Sequence, residues 1–182
     1  MVLAAVVVVA AAAGFLVWSN RDVIGEPIST SEWATRYCAA VEPYKTGATQ
    51  LVSEIETGVA TGGAGTTLKP AMLSFGTLAD DFLAKVLRLA EDHPIADEGG
   101  ARLATDLQAS VTTARDHLRR AVEQVRLLDA AEPGFVTQAI GVLASNGISL
   151  DTRMTIKASP AFNRLNVAIG TTTGCSSLFT VE

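Results

Sequence analysis

The two cysteines are the residues of this sequence whose possible chemistry is most clearly defined. Cys38 and Cys175 are its only cysteines and lie near opposite ends of the 182-residue chain. A structural metal site usually needs four ligands, but the sequence has no CxxC spacing and only two scattered histidines, His93 and His117. We therefore predict a disulfide, with two buried free thiols as the alternative. A disulfide that closes so long a loop would add about 5 kcal/mol of stability in the chain-entropy treatment and would indicate an oxidising compartment.

Clustered carboxylates are the second group that could do chemistry. Asp80 and Asp81 stand side by side, and Glu91 and Asp92 precede His93. Paired carboxylates can divide the roles of general acid and base, but adjacent residues of a helix do not face each other. The second cluster also lacks the E-x-x-H spacing of helical di-iron sites. We predict that both clusters are solvent-exposed surface.

Two further patterns could bind anions. Residues 58–67 are rich in Gly and Thr, but a phosphate-binding P-loop requires GxxxxGK[ST] after a strand, which is absent. A flexible connection between helices is the better interpretation. Four arginines follow at helical spacing and could hold lipid headgroups or an acidic polymer. Acidic residues are interleaved with them, which favours ordinary surface ion pairs. These arginines are Arg115, Arg119, Arg120 and Arg126, and the acids are Asp116, Glu123 and Asp129.

Patterns typical of an active site are missing elsewhere in the sequence. It contains no nucleophile elbow, no arrangement of histidine, carboxylate and hydroxyl, and no cluster of metal ligands. We therefore predict a protein that is not an enzyme, with no catalytic, cofactor-binding or metal-binding residues and no cofactor. The net charge of −5 also argues against nucleic acid, because binding it normally requires a basic surface.

The N-terminal segment has the composition of a membrane anchor. Residues 2–18 form an unbroken run of seventeen apolar or small residues, the short end of what spans a bilayer. Trp18, at the end of this run, is typical of the membrane interface. We predict an uncleaved transmembrane anchor at residues 1–19. The alternatives are a signal peptide cleaved near Ala13 and a buried core helix. The nearby charges, Arg21 and Asp22, cancel, so only the predicted disulfide indicates that the rest of the chain is extracytoplasmic.

The remaining chain is predicted to be a linker at residues 20–30 and a helical domain at residues 31–182. Ser29 and Glu32 have the S-x-x-E spacing of a capping box. Apolar residues then recur at steps of three and four, which predicts a helix over residues 31–57. Pro43 should kink this helix or start a new one. Its apolar stripe comprises Trp33, Tyr37, Val41, Tyr44, Ala48, Leu51, Ile55 and Val59.

Further helices follow in the same way. A second apolar stripe has Pro70 near its start, as expected for a first turn, and ends at His93. The third helix has nearly heptad spacing and is predicted over residues 96–131. A fourth begins near Phe135 and stops at Asn146-Gly147. Residues 148–157 are ambiguous between helix and strand. The second stripe is Met72, Phe75, Ala79, Phe82, Val86 and Leu89.

The C-terminal part should close the fold. Ser159 and Pro160 resemble an N-cap followed by proline at the first helical position, which predicts a final helix. Beyond it, Leu178 and Phe179 are expected to pack beside the disulfide, against Trp33 or Tyr37. The predicted fold is all-α: a four- to five-helix bundle after a single N-terminal transmembrane helix.

The arrangement resembles a set of small exported proteins common in actinobacteria, which have an anchor, an opening helix like W-x(n)-YC-x-A-V-x-P-Y, and a closing S-P-x-F/L…C segment. The residues that carry this resemblance are Trp33, Tyr37-Cys38, Ala40-Val41, Pro43-Tyr44, Ser159-Pro160, Phe162 and Cys175. The resemblance implies a disulfide-stapled helical bundle outside the cytoplasmic membrane. It carries over no catalytic residues, because the function of such proteins is largely unknown, and this chain lacks the anchor cysteine of the lipoprotein members.

Two functions fit these predictions. The first is a non-catalytic, membrane-anchored interaction module that docks on another envelope protein or serves as an accessory subunit of a membrane complex. The second is a carrier that holds an apolar ligand, such as lipid, between its helices, with Met72, Phe75 and Phe82 as lining residues. The predicted location is the cytoplasmic membrane with the C-terminal domain outside, or secretion if the first segment is cleaved.

Overall fold

A computed structural model describes residues 25–148, 154–173, 175 and 177–181. The predicted anchor at residues 1–19 and the first part of the predicted linker lie outside these residues. Among the described residues, no helix is both long and apolar enough to cross a membrane. The elements are α1 (Thr30–Ala60), α2 (Gly65–Asp92), α3 (Gly100–Leu127), α4 (Phe135–Ser145), β1 (Met154–Ile156), α5 (Pro160–Thr171) and β2 (Phe179–Val181).

Three long helices, α1, α2 and α3, form the body of the bundle. Short turns join them, so consecutive helices run in opposite directions and pack side by side. Small residues let α1 approach α2 closely: a Cβ on Gly47 would lie 2.8 Å from a methyl of Leu78, and one on Gly58 would lie 2.3 Å from a methyl of Leu68. The predicted helical bundle is confirmed. Most of the apolar stripe on α3 is buried, with Ala114 and Leu128 only partly so. Its buried members are Leu103, Leu107, Val111, Leu118, Ala121 and Val125.

The prolines and helix ends differ from the predictions in detail. Pro43 lies inside α1, which continues unbroken to Ala60, because Val41 and Tyr44 are buried on either side of it and hold the helix to the core. Pro70 is also internal, since α2 begins at Gly65 and not near the proline. Both prolines are solvent-exposed, where a missing backbone hydrogen bond costs least.

The described residues are mostly helical, as the all-α prediction expects, and a pair of three-residue parallel strands is a small addition to it. Met154 pairs with Phe179 and Ile156 with Val181. The hydroxyl of Ser110 on α3 donates to the carbonyl oxygen of Thr155 at 2.8 Å, which fastens β1 to the bundle. Three residues are too few for a periodic pattern, and residues 149–153 of the ambiguous stretch lie outside the described residues.

The predicted disulfide is confirmed. Cys38 on α1 is bonded to Cys175, 137 residues later, with a Cα–Cα distance of 5.4 Å. Beside it, the rings of Tyr37 and Phe179 have centroids 5.2 Å apart, Trp33 stacks on Tyr37 at 5.8 Å, and the backbone amide of Leu178 donates to the Tyr37 hydroxyl oxygen at 3.1 Å. Burial raises the pKa of Tyr37 well above its usual range.

The buried side chains form two clusters. The larger one, called here the aromatic core, surrounds the disulfide end of the bundle and includes Trp33, Tyr37, Tyr44, Phe82, Phe162 and Phe179. The smaller one, called here the distal cluster, lies where α1 ends, α2 begins and α3 ends. Its buried members are Ile55, Leu68, Met72, Val125, Phe135 and Ala139.

The segment before α1 is held against the turn between α2 and α3. The Ile28 amide donates to the Pro94 carbonyl at 3.0 Å, and the Ala96 amide donates to the Ile28 carbonyl at 2.8 Å. The hydroxyl of Thr30 also donates to the carboxylate of Asp97. The described part of the predicted linker is therefore docked on the bundle, at the end opposite the distal cluster.

Candidate functional site: an apolar groove

The charged residues singled out from the sequence form a structural ion pair network. Asp80 on α2 accepts hydrogen bonds from Arg115 at 2.9 and 3.1 Å and from Arg119 at 3.0 and 3.1 Å. These bonds, with Arg115 contributing most, hold the pKa of the Asp80 carboxyl below its usual value. The prediction of plain solvated surface is wrong for Asp80, because the facing helix supplies two guanidinium groups. Asp81 is exposed as predicted.

The other polar patterns bring no further chemistry together among the described residues. Arg126 pairs with Glu123 at 2.6 Å, as an ordinary surface ion pair. The glycine-rich stretch forms the short turn from α1 to α2, with Gly62 in a left-handed conformation (φ 69°) that suits glycine. Within the part of the chain that the structure describes, no group of three or more potential metal ligands occurs.

An apolar groove lies beside the distal cluster, on the surface of the described residues. Its volume is about 460 Å³, within the range of small-molecule sites. It lies between the last turns of α1, the second turn of α2, and α4. The lining residues are Ile55, Glu56, Val59, Ala60, Met72, Ile140, Leu143, Ala144 and Ile148.

The groove has a dry floor and an open mouth. Ile55 and Met72, which are 6% and 7% exposed, form the floor. Val59 and Ile140, which are 41% and 50% exposed, stand at the rim. Covering these two aliphatic side chains would remove apolar surface from water, which is favourable.

Helix α4 forms one wall and is held by contacts at both ends. Phe135 is 1% exposed, and a Cβ on Gly65 would lie 2.6 Å from its ring, so only glycine allows α2 to start this close to α4. At the other end, the Asn146 side-chain amide donates to Gln124 at 3.1 Å, and Nδ1 of His117 lies 3.1 Å from the Asn146 carbonyl oxygen. The wall is therefore fixed in place without filling the groove.

A small, separate void adjoins the groove on the side of the protein interior. It has a volume of about 20 Å³ and shares three lining residues with the groove: Ile55, Met72 and Leu143. Phe75 lines only the void. Such a space is large enough for one water, but its apolar lining favours a dry void. Met72, whose unbranched side chain adapts easily, lies at the boundary between the two spaces.

The predicted site residues thus separate into two places. Trp33, Tyr37, Cys38, Cys175, Leu178 and Phe179 come together at the disulfide end, where they form packed core. Of the three proposed ligand-lining residues, Met72 lines the groove, Phe75 lines the void, and Phe82 stacks on Tyr44 at 4.6 Å in the aromatic core. The contribution of α4 to the groove was not predicted, because an apolar residue on a short helix, such as Ile140, does not show what it faces in the fold.

No protein-family model, no curated protein and no solved structure matches the chain.

Proposed function

We propose that this protein is a non-catalytic binding protein that holds an apolar molecule in the groove between α1, α2 and α4. The observation that carries this proposal is the groove itself: about 460 Å³ of space with a buried floor of Ile55 and Met72. Small-molecule sites are concave and mostly apolar, and filling such a space removes apolar surface from water at about 25 cal/mol per Å².

The size of the groove favours a small ligand over a protein partner. Nine residues line it, whereas a stable protein interface uses roughly 20–30 residues on each side. The other large, strongly exposed aliphatic side chains of the described surface, Leu127 and Val167, are not lining residues and do not extend it into a broad apolar face.

The test is binding of an uncharged apolar fluorophore, N-phenyl-1-naphthylamine, to the folded protein. Saturable fluorescence enhancement is expected. Ala144→Phe, which places a ring in the groove from α4, should weaken binding at least about tenfold, or ~1.4 kcal/mol. Ala109→Phe is the matched control, since Ala109 is an exposed helical alanine outside the groove. Equal effects of the two variants, or no saturable binding, would refute the proposal.

An interaction module is the second candidate function, and the docked segment before α1 favours it. Hydrogen bonds of Ile28 to the turn between α2 and α3 hold the first described residues at the end of the bundle opposite the groove. Ile55 lies 25 residues beyond Thr30 on the same helix, or about 38 Å along the axis. An N-terminal anchor would thus hold the groove away from the membrane, within reach of another envelope protein or a subunit of a membrane complex.

A photo-crosslinking residue introduced at position 140 tests this candidate in the full-length anchored protein. One reproducible adduct is expected at position 140 and none at position 167, whose valine is 65% exposed on α5 and serves as the control. Adducts of equal yield at both positions would count against a specific partner at the groove.

The proposed location is the cytoplasmic membrane, with residues 1–19 as a single span and the bundle outside; secretion after cleavage is the alternative. The disulfide supports an oxidising compartment. Intact mass spectrometry of the natively expressed protein, with and without reduction and alkylation, tests the location. A full-length species that takes up two labels only after reduction is expected. Free thiols would contradict the extracytoplasmic location, and loss of the first residues would favour secretion.

A further inference from the structure

We propose that the groove selects a ligand with one alkyl or acyl chain whose polar end is cationic or uncharged, and that it discriminates against the same chain ending in a carboxylate. This inference rests on the proposed binding function and adds the electrostatic preference of the site. It follows from three features of the groove: its floor, its single charged residue and the helix ends that surround it.

The floor determines which part of the ligand enters. Ile55 and Met72 are almost completely buried, while Val59 and Ile140 remain at the open rim. Among the lining residues that the structure describes, Glu56 is the only one with a charged or hydrogen-bonding side chain. A polar group carried to the floor would lose its hydrogen bonds to water without replacement. The apolar chain therefore occupies the floor, and the polar end of the ligand stays at the mouth.

The mouth carries negative charge. Glu56 is exposed and lies on α1 between the floor residue Ile55 and the rim residue Val59. The described residues that line the groove include no lysine, arginine or histidine. On α2, Lys69 lies one turn before Met72, but its ammonium group is engaged by the carbonyls of Arg126 and Leu128, both at 2.7 Å. The nearest cationic side chain on α2 is therefore hydrogen-bonded to the end of α3 and does not line the groove.

Two helix ends add to this negative potential. Both α1 and α4 contribute residues of their last two turns to the groove, and neither has a basic residue in its last turn. The carbonyl end of a helix carries a partial negative charge and favours cations. The amino end of α2 has the opposite polarity, but its one lining residue, Met72, lies in the second turn, and the effect of a helix end falls off within the first turn. The charge of Glu56 and the two carbonyl ends therefore dominate at the mouth, so they attract a cationic end and repel a carboxylate.

Three ligands with the same twelve-carbon chain test the preference: dodecyltrimethylammonium, monolauroylglycerol and dodecanoate, each below its micelle concentration. Each is measured by its displacement of N-phenyl-1-naphthylamine. We expect affinity to fall in that order, with the cation bound about tenfold more tightly than the anion, as expected for one exposed charge and a helix end. Dodecanoate bound as tightly as the cation would overturn the inference.

Glu56→Gln isolates the local charge from the net charge of the protein. It should reduce the cation-to-anion ratio by about fivefold, as expected for one unit charge near the surface. Glu54→Gln is the matched control: it makes the same change in net charge on the same helix, at an exposed residue that does not line the groove. Equal shifts in the two variants would show that the preference comes from net charge and overturn the inference.

The result is separable from that of the proposed function. If the fluorophore binds and Ala144→Phe weakens it, but the three dodecyl ligands bind equally, the binding function stands and the charge preference fails. If no fluorophore or dodecyl ligand binds saturably, both proposals fail together.

Discussion

The two hydrophobic clusters of this protein consist of different kinds of side chain. The aromatic core contains two tyrosines, a tryptophan and three phenylalanines, Phe82 among them, in ring contact with one another, and the disulfide lies at its side. The distal cluster has one buried aromatic residue, Phe135, among aliphatic side chains. The first is closed by β2 and the C-terminal segment, whereas the second opens directly into the groove.

This difference suggests that the two clusters have different roles in the bundle. Aromatic rings have few rotatable bonds and interlock, so the aromatic core gives the fold a single arrangement. Met72 and its aliphatic neighbours can adjust to a guest at little cost. Binding regions are commonly drawn from the less stable parts of a protein, and here the less densely interlocked cluster is the one beside the groove.

Removal of the disulfide is expected to have the largest effect on stability, and it directly alters only the aromatic core. Replacing both Cys38 and Cys175 by alanine should lower the free energy of unfolding by about 5 kcal/mol, because the bond closes a loop of 137 residues. Urea unfolding measures the loss. Fluorophore binding per folded molecule should stay unchanged, since the groove lies at the other end. A parallel loss of affinity in the folded variant would show that the two regions are coupled.

Truncation of one large side chain in each cluster compares their packing directly. Phe82→Ala should cost about 4 kcal/mol, and Met72→Ala only about 2 kcal/mol, because Met72 already borders the void and the groove. Met72→Ala should also join these two spaces and raise the affinity for longer alkyl chains relative to shorter ones. Equal costs for the two variants would contradict the proposed contrast in packing.

Asp80, which accepts the hydrogen bonds of the ion pair network, lies on α2 between Met72 of the distal cluster and Phe82 of the aromatic core. Its replacement measures how much this network stabilises the region between the two clusters. Asp80→Asn should cost about 1 kcal/mol at pH 6, since it leaves Arg115 and Arg119 without their carboxylate. The folded state lowers the pKa of Asp80, so its contribution is present above the ordinary aspartate pKa near 4 and is lost as the pH falls through the lower, folded value.

Urea unfolding at pH 6 and pH 2.5 checks both parts of that prediction. The difference between the variant and the natural protein should be largest at pH 6 and smaller at pH 2.5, because the contribution of Asp80 decreases below its ordinary pKa. Asp81→Asn is the control, because Asp81 is exposed, and it should change neither value by more than about 0.5 kcal/mol. A difference that is equally large in acid would mean that Asp80 stabilises the bundle by something other than its charge.

The smallest effect on stability is expected at the rim of the groove. Ile140→Asp and Val167→Asp both replace an exposed aliphatic residue and should each change the free energy of unfolding by about 0.5 kcal/mol or less. Only Ile140→Asp should weaken binding of N-phenyl-1-naphthylamine, because it replaces apolar rim surface that the ligand would cover by a hydrated carboxylate. Weakened binding in both variants would indicate nonspecific association with the apolar surface.

The repeating parts of this fold could be predicted from the sequence. The nearly heptad spacing of α3, the capping side chain of Ser159 on the Phe162 amide and the stop at Asn146-Gly147 are local signals. The disulfide could be predicted because the sequence contains only two cysteines. The short strand pair could not be predicted in the same way, because three residues are fewer than a periodic pattern requires.

The groove could be predicted only in part. Met72, Phe75 and Phe82 lie on one stripe of α2, and a stripe indicates which side of a helix is buried. It does not indicate what each level of the helix packs against. The level of Met72 faces the end of α1 and the short helix α4, whereas that of Phe82 faces Tyr37 and Tyr44. Ile140 shapes the groove through tertiary placement, for which α4 alone carries no signal.

The disulfide also determines what happens when the backbone is cut. The turn between α1 and α2 is exposed at Thr61, Gly62 and Ala64, as expected of sites where proteases act. A cut there would separate the chain into a piece that holds Cys38 and a piece that holds Cys175, and the two would remain one covalent molecule. Release of a fragment therefore requires two unrelated events, a hydrolysis and a reduction, and an enzyme that performs only the first leaves the pieces together.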